Sequence, residues 1–573
     1  MVNIYQLFPR LFGNKVVSSR INGTIHTNGC GKFNDINEVA LLAIKDLGIT
    51  HIWLTGILRH ATLTDYSAFG IPKSHPSVVK GIAGSPYAIN DYYDVDPDLS
   101  VDVSKRMQEF EALIERIHAH GMKVLIDFVP NHLAREYASV GKPEAVSDFG
   151  SNDQVQLAFH PNNNFYYIQN QSFWPPYRED EVYHNSTVYI EQPAKATGND
   201  CFNAMPTIND WFETVKLNYG IDYQNDQQTY FDPVPDTWLK MEAILKFWLE
   251  KGVDGFRSDM AEMVPVPFWE WVIKKIRIPF PDAIMIAEIY RPGLYPDFVH
   301  VGFDYLYDKV CLYNRLHDVL LHGHAAESLS SCWKMLEGLN HKMLRFMENH
   351  DEPRLASPRF FGDAHAALPA VALSAFMHNS AFMIYNGQES GEDALGIAGY
   401  SGDDGRSSIF DYCAMPQHQR WMNNGRFDEG LLSYDQIKLR KAYRKILTMR
   451  LQEEALRSGD FYDLMWANPW YTEFDPRFVY VFLRYTIEQQ LLVVINFHRF
   501  ESRTMRVNMH PDAFEKMGLR YEPNEIWTAT DLITEGDPVL FRPKDLPEEG
   551  IRLTLKPSQY AVFELNKLPL NED

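Results

Sequence analysis

Short apolar runs of strand composition recur along this chain, each separated from the next by an amphipathic helical pattern, and this alternation constrains the fold more than any other feature. The runs begin with VNIYQLF, then THIWLTGI after a helix predicted near 36–47, then MKVLIDFV after one over 106–120. The rhythm resumes at GVDGFRSD, behind the helical DTWLKMEAILKFWLEKG, and continues through AIMIAEIY, a weaker VGFDYL, MLRFMEN and AFMIYNG. Strand alternating with helix means a parallel sheet, because parallel neighbours need a crossover. Eight such strands predict an α/β fold, a closed (β/α)8 TIM barrel.

Two stretches depart from the rhythm. Between 133 and 231 the text turns polar, aromatic and loop-like (FGSNDQVQLAFHPNNNFYYIQNQSFWPPYRED), and a structureless loop of that length is rare, so a small inserted domain is expected after strand three. After a helix predicted over 434–454 the period becomes two, in RFVYVFLRYT, QLLVVINFH, RTMRVNMH, IRLTLKP and QYAVFEL, which predicts a C-terminal antiparallel β domain. The expected organisation is barrel over 1–132, insertion over 133–231, barrel again over 232–454 and β domain over 455–573.

Composition narrows the partners. With 54 Lys and Arg against 76 Asp and Glu, the formal charge is −22, so the mean field repels phosphate backbones and anionic lipid. No nucleic-acid or membrane partner is expected. The stretch from Asp363 to Glu389 lacks internal charge, but Pro369, His378, Asn379 and Ser380 interrupt it, which predicts a buried helix followed by a strand rather than a span. Five scattered cysteines without a CxxC pair fit a reducing compartment, and the N-terminal MVNIYQLFPRLF lacks a basic leader; a cytoplasmic protein is expected.

A β/α barrel carries its active site at the C-terminal ends of its strands. Here those ends are rich in acids and histidines: Asp127 with Asn131 and His132 after strand three, Arg257-Ser258-Asp259 on strand four, Glu288 on strand five, and Glu348-Asn349-His350-Asp351 on strand seven. A lone acid after a strand is usually a cap or an ion-pair partner. Four such ends together, with no phosphate loop and no cysteine, suit chemistry in which positive charge develops on a sugar ring, where one carboxylate attacks and another serves as acid, then base.

The motifs DFVPNH (127–132), GFRSD (255–259), IAE (286–288) and ENHD (348–351), in this order on these strands, resemble the α-amylase family, glycoside hydrolase family thirteen. The insertion after strand three and the C-terminal β domain agree with that likeness. The resemblance implies a retaining α-glycoside hydrolase acting on α-1,4-linked glucans or malto-oligosaccharides. Asp259 would be the nucleophile, held ionised by Arg257, and Glu288 the acid and base. Asp351 would be the third carboxylate, gripping sugar hydroxyls beside His132 and His350. Tyr87, in SPYAINDYYDVDP, would stack under the sugar, and Arg354 would orient Asp351.

The pattern also departs from the family. Lys-His often follows the nucleophile at the third and fourth positions in endo-acting members, and Glu262 and Met263 stand there instead, which favours shorter glucans or transfer between sugars. Asn131 matches a family calcium ligand, and Asp148, Asp153, Asp200 and Asp222 offer further oxygens, so the resemblance allows a bound calcium. In DWFETVKLNYGID, Lys216 stands where relatives frequently have an acid. An α-glucan glucanotransferase or isomerase of the same superfamily shares the first chemical step. A non-catalytic relative would usually lack a carboxylate that this chain keeps.

Overall fold

The computed structural model describes residues 1–17, 19–178, 187–395, 399–470, 473–534 and 536–568. Eight parallel strands close into a barrel: β1 (Asn3–Leu7), β2 (His51–Leu54), β3 (Lys123–Phe128), β4 (Gly255–Ser258), β5 (Ile284–Ala287), β6 (Tyr305–Tyr307), β7 (Met343–Phe346) and β8 (Ala381–Tyr385). Each strand pairs with its sequence neighbours, and β8 closes on β1 through Asn3↔Phe382 to Gln6↔Tyr385. All eight runs singled out in the sequence lie in this sheet.

Helices cover the outside. Among them are α1 (Glu38–Asp46), α2 (Arg106–Ala119), α3 (Asp236–Glu250), α4 (Val266–Arg277), α5 (Asn314–His322), α6 (Leu368–Phe376) and α7 (Tyr434–Gln452). Their starts follow local chemistry. The Asn37 side chain accepts the Ala40 N–H ahead of α1, and Ser433 and Gln436 form a reciprocal capping box ahead of α7. The uncharged stretch near 370–385 resolves into α6 and β8, both buried, and no helix among the described residues is long and apolar enough to cross a membrane.

Inside the barrel, side chains stack in layers because successive residues of a strand face opposite ways. One layer is apolar, with Ile4, Trp53, Leu125, Ile286, Leu344 and Met383 in a closed cluster. Two residues further on, the same inward face turns polar, giving Gln6 on β1, Asp127 on β3 and Glu288 just past β5. On β4 the corresponding sequence is Gly255, Arg257, Asp259. Gly255 is required at its place, since a Cβ there would stand 2.3 Å from the Ile284 carbonyl oxygen. The apolar layer therefore forms the floor on which the charged residues stand.

The segment after β3 forms short ladders rather than one sheet. His132–Ala134 pairs antiparallel with Thr214–Lys216, Tyr167–Ile168 with Ala194–Lys195, and Ile221–Asp222 with Gln228–Thr229. Part of this region, 179–186, lies outside the described residues. At the C-terminal end, β9 (Asp460–Asp463), β10 (Val479–Tyr485), β11 (Gln490–Asn496), β13 (Trp527–Asp531), β14 (Val539–Phe541) and β16 (Tyr560–Lys567) build an antiparallel sheet in the order β9-β10-β11-β16-β13-β14. β12 (Arg503–Val507) and β15 (Ile551–Leu555) pair beside it. Fully buried Arg484 of β10 donates to the Phe376 carbonyl at the end of α6, which docks this sheet on the barrel. All five cysteines are free.

Candidate active site

The register of the barrel brings the charged residues together. Arg257 lies level with Asp127 of β3 and Ile286 of β5, so its side chain enters the barrel between the acids of its two neighbouring strands. Its guanidinium is fully buried. Nη1 donates to Asp259 Oδ1 at 2.7 Å and reaches Asp127 Oδ1 at 3.4 Å. Nη2 lies 2.8 Å from Glu288 Oε1, a charge contact without the alignment of a hydrogen bond. Nε donates to the Tyr307 hydroxyl at 3.2 Å. One cation thus bridges the acids of three strands.

Both oxygens of Glu288 are held. The Tyr290 hydroxyl donates to Oε1 at 2.6 Å, and the Met260 N–H donates to Oε2 at 2.7 Å. Met260 achieves this by adopting φ +43°, a left-handed conformation that is strained for a residue with a side chain. The strain sits between Asp259 and a short turn, Ala261–Met263, where Glu262 accepts the N–H groups of Tyr290 at 2.9 Å and Arg291 at 3.0 Å. Glu262 therefore ties the loop that carries Tyr290 in place, a role its sequence position alone did not reveal.

Asp351 stands across the mouth with 39% of its side chain accessible. Beside it, His350 is enclosed: Nε2 is 2.5 Å from the Tyr87 hydroxyl and 3.1 Å from Asp351 Oδ2, while Nδ1 meets the Gln6 amide at 2.7 Å. Gln6 also reaches the Thr55 hydroxyl at 2.9 Å. The His350 ring lies 28° from parallel to Tyr87, and the Arg257 guanidinium is 5.4 Å from the Tyr87 ring centre.

Four acids share the charge of one arginine: Asp127, Asp259 and Glu288 are buried, and Asp351 stands at the open mouth. Burial pushes Asp127 up to about 7 and Asp351 up to about 8, the neighbouring acids adding to the shift at Asp351 and Arg257 opposing it. Glu288 is raised by burial and by Asp259, against the pull of Arg257. Asp259 is pulled upward by burial and held down by the charge and hydrogen bond of Arg257, with burial the larger of the two. His132 is held neutral, lowered to about 4 by burial. Burial thus shifts each of the four acids toward its protonated form.

These groups open into a cavity of about 280 Å³, lined by Tyr87, His132, Asp259, Glu288, Tyr290 and Asp351. The inserted segment supplies one wall, with the Trp211 ring 5.1 Å from His132 and Glu213 paired with Lys80 at 3.0 Å. Phe410, from the loop after β8, closes the other side. Of the sequence candidates, Asp259, Glu288, Asp351, Tyr87 and His132 line the cavity; Arg257 and His350 lie behind them as buried partners.

Arg354 does not join them. It is fully buried, pairs with Glu348 at 3.0 Å and donates to the Asn386 carbonyl at 3.1 Å and the Ser407 hydroxyl at 3.0 Å. The expectation that it orients Asp351 or touches sugar is corrected: it fastens the β7 end to the loops after β7 and β8.

The surroundings of Asn131 do not fit a calcium ion. The Lys216 ammonium, 2% exposed, donates to Asn131 Oδ1 at 3.1 Å and pairs with Asp200, so these oxygens already face a positive charge. A divalent ion there would stand against an ammonium. The other oxygens named from the sequence are also engaged: Asp153 accepts the N–H groups of Asn164 and Phe165, Asp148 pairs with Lys142 at 3.4 Å, and Asp222 accepts the Gln224 N–H.

Residues 6–285 match the family model described as the α-amylase catalytic domain. Over that stretch, which runs from β1 into β5, the chain is similar to the α-amylase family. Maltase A1 of Drosophila melanogaster is 24% identical over 262 residues, covering 45% of this chain and 34% of that protein. Alpha-amylase 3 of Dictyoglomus thermophilum is 23% identical over 441 residues, 72% of each chain. The chain spans about a quarter to a third of the length of the maltase and maltosyltransferases that it matches. Among solved α-amylase structures, a noncanonic maltogenic α-amylase from Thermotoga neapolitana superposes with a TM-score of 0.62 at 20% identity, covering 99% of this chain and 98% of that one. The α-amylase fold thus extends over barrel, insertion and C-terminal sheet alike.

Sequence reasoning missed Gln6, Tyr290, Trp211, Lys80 and Glu213. Tyr290 could have been found, since it lies two residues past Glu288 and so on the same side of an extended segment. Gln6 lies two residues past an inward apolar position of β1 by the same rule. Nothing in the spacing of Lys80, Trp211 and Glu213 relates them to the barrel.

Proposed function

We propose that this protein is a retaining α-glycoside hydrolase acting on short α-1,4-linked glucans, by double displacement through a covalent glycosyl-enzyme. One observation carries the reading: Arg257 stands between Asp259 and Glu288 at the base of a sugar-sized cavity, one carboxyl on each terminal nitrogen. Asp259 attacks the anomeric carbon while Glu288 gives its proton to the departing glycosidic oxygen. Glu288 then takes a proton from water, which attacks the same carbon and releases Asp259. Burial and Asp259 raise Glu288, the direction that a group giving a proton to the leaving oxygen needs.

Asp351, carrying its proton below about pH 8, can both donate to and accept from sugar hydroxyls, and Tyr87 offers a ring face below them. A cavity of about 280 Å³ lies just below the ~300–1,000 Å³ typical of small-molecule sites, which favours short oligosaccharides. Glu262, turned to the backbone of Tyr290 and Arg291, supplies no sugar contact in place of the Lys-His of endo-acting relatives.

The similar proteins, a maltase, α-amylases and an α-1,4-glucan:maltose-1-phosphate maltosyltransferase, support an α-glucan substrate and include a transferase. A product-resolved time course on maltoheptaose, with Asp259→Asn as control, tests the reading. Shorter α-anomeric products from the wild type alone are expected. Products longer than the substrate would make transfer the main activity, and β-anomeric products or an active Asp259→Asn protein would overturn the mechanism.

A further inference from the structure

Away from the cavity, α5 ends in the sequence His317-Asp318-Val-Leu-Leu-His322-Gly323-His324. Gly323 takes φ +67°, a left-handed turn open to glycine, and the N–H groups of Gly323 and His324 both return to the Asp318 carbonyl. The chain folds back so that His324 Nδ1 comes within 3.7 Å of Asp318 Oδ2. One donor atom from each of His317, Asp318 and His322 lies within 4.8 Å of the other two, and the two imidazole rings are 5.3 Å apart. No other three His, Cys, Asp or Glu side chains meet this spacing among the described residues.

We propose that this end of α5 binds one divalent late first-row transition ion, of which zinc is the reference, through His317, Asp318 and His322. Two imidazole nitrogens and one carboxylate oxygen select zinc-like ions over calcium or magnesium, which take oxygen ligands. His324, already turned to Asp318, is placed to complete a tetrahedron; otherwise water does so. The helix C-terminus adds its negative dipole end to the charge of Asp318.

The site is part built and part adjustable. His317 is packed against Phe360, ring centres 4.9 Å apart, which fixes one ligand. Exposed His322 and half-buried Asp318 would move inward on binding to reach the ~3.4 Å donor spacing of a tetrahedral zinc site. Lys309, the cation felt at His317, is neutralised by Glu352 at 2.9 Å. None of these ligands lines the catalytic cavity, while His324 also borders a separate cavity of about 440 Å³ with Phe360, Phe361 and Arg499. Binding should therefore brace α5 against the segment carrying Phe360 and leave the chemistry untouched.

Titrating zinc chloride into the metal-free full chain at pH 7.5, by calorimetry and by thermal midpoint, tests this. One equivalent bound with a dissociation constant of about 10 µM or tighter, with a raised midpoint, is expected, and calcium should not compete. His322→Ala, at an exposed position, should weaken binding at least tenfold while the metal-free midpoint and the turnover of maltotriose stay at wild-type values. Asp318→Asn should weaken binding likewise. Binding below one equivalent, binding weaker than about 100 µM, or wild-type affinity in both variants would mean an adventitious ion only and would overturn the proposal.

Discussion

Replacing Tyr290 by Phe removes one hydroxyl from the site and leaves the ring. That hydroxyl donates to Glu288 Oε1 at 2.6 Å, the length of a charge-assisted O–H···O⁻ bond. It favours the ionised carboxylate and so holds the Glu288 pKa down, against burial and Asp259, which push it up. A hydrogen bond to a charged group contributes about 1.5–3 kcal/mol, and 1.36 kcal/mol is one pKa unit, so losing it should raise Glu288 by about 1–2 units. The Met260 N–H remains as a donor, the Arg257 charge stays beside Glu288 and water can enter the vacated space, which places the shift near the lower end, about 1 unit. Glu288 must hold a proton to expel the leaving sugar, so kcat/KM falls as pH rises through this pKa. In Tyr290→Phe the alkaline limb of the kcat/KM profile on maltotriose should therefore move up by about 1 pH unit, with the acid limb unmoved. Maltotriose is the proper substrate because its leaving group needs protonation. An alkaline limb that stays in place or moves down would refute the argument.

Asp351→Asn should change how stability depends on pH. The folded carboxyl is raised to about 8 against roughly 3.9 in an unfolded chain, so the native state binds the extra proton between those values and stability is lost as pH rises through that window. The thermal midpoint of the variant relative to wild type should therefore be higher at pH 9 than at pH 5, and the opposite trend would exclude the raised value. Lys216→Met should lower the urea midpoint by the equivalent of about 1–3 kcal/mol, since buried Asn131 loses a donor while Asp200, 45% exposed, can rehydrate. Added calcium should leave the wild-type thermal midpoint unchanged, and a rise of several degrees would place calcium beside Asn131 after all.

The barrel was legible because its signal is local. Each strand is a short apolar run and each is bounded by a helix whose period reads directly, so even the faint VGFDYL falls on β6 (Tyr305–Tyr307). In the C-terminal region the Val- and Leu-rich strands were found, whereas Asp460–Asp463 and Trp527–Asp531 were not, because their strand state comes from pairing with neighbours rather than from apolar density, and Val539–Phe541 was not, because three residues are too few to show a period. The insertion gave no period at all, as two- and three-residue ladders leave none.

What the sequence determined by itself is the order of the strands and the identity of the acids at their ends, because inward-facing positions two residues apart share one face of a strand. Only the tertiary structure decided how those acids are held. Arg257 is shared by Asp127, Asp259 and Glu288 because three adjacent strands bring their acids around its buried side chain. The strained Met260 and the distant Gln6 each fix a group in the site through a single hydrogen bond. Arg354 and Lys216 show the limit most plainly: position in a motif cannot tell whether a cation turns to the cavity or to a buried partner, since that depends on which oxygens the rest of the chain brings within reach.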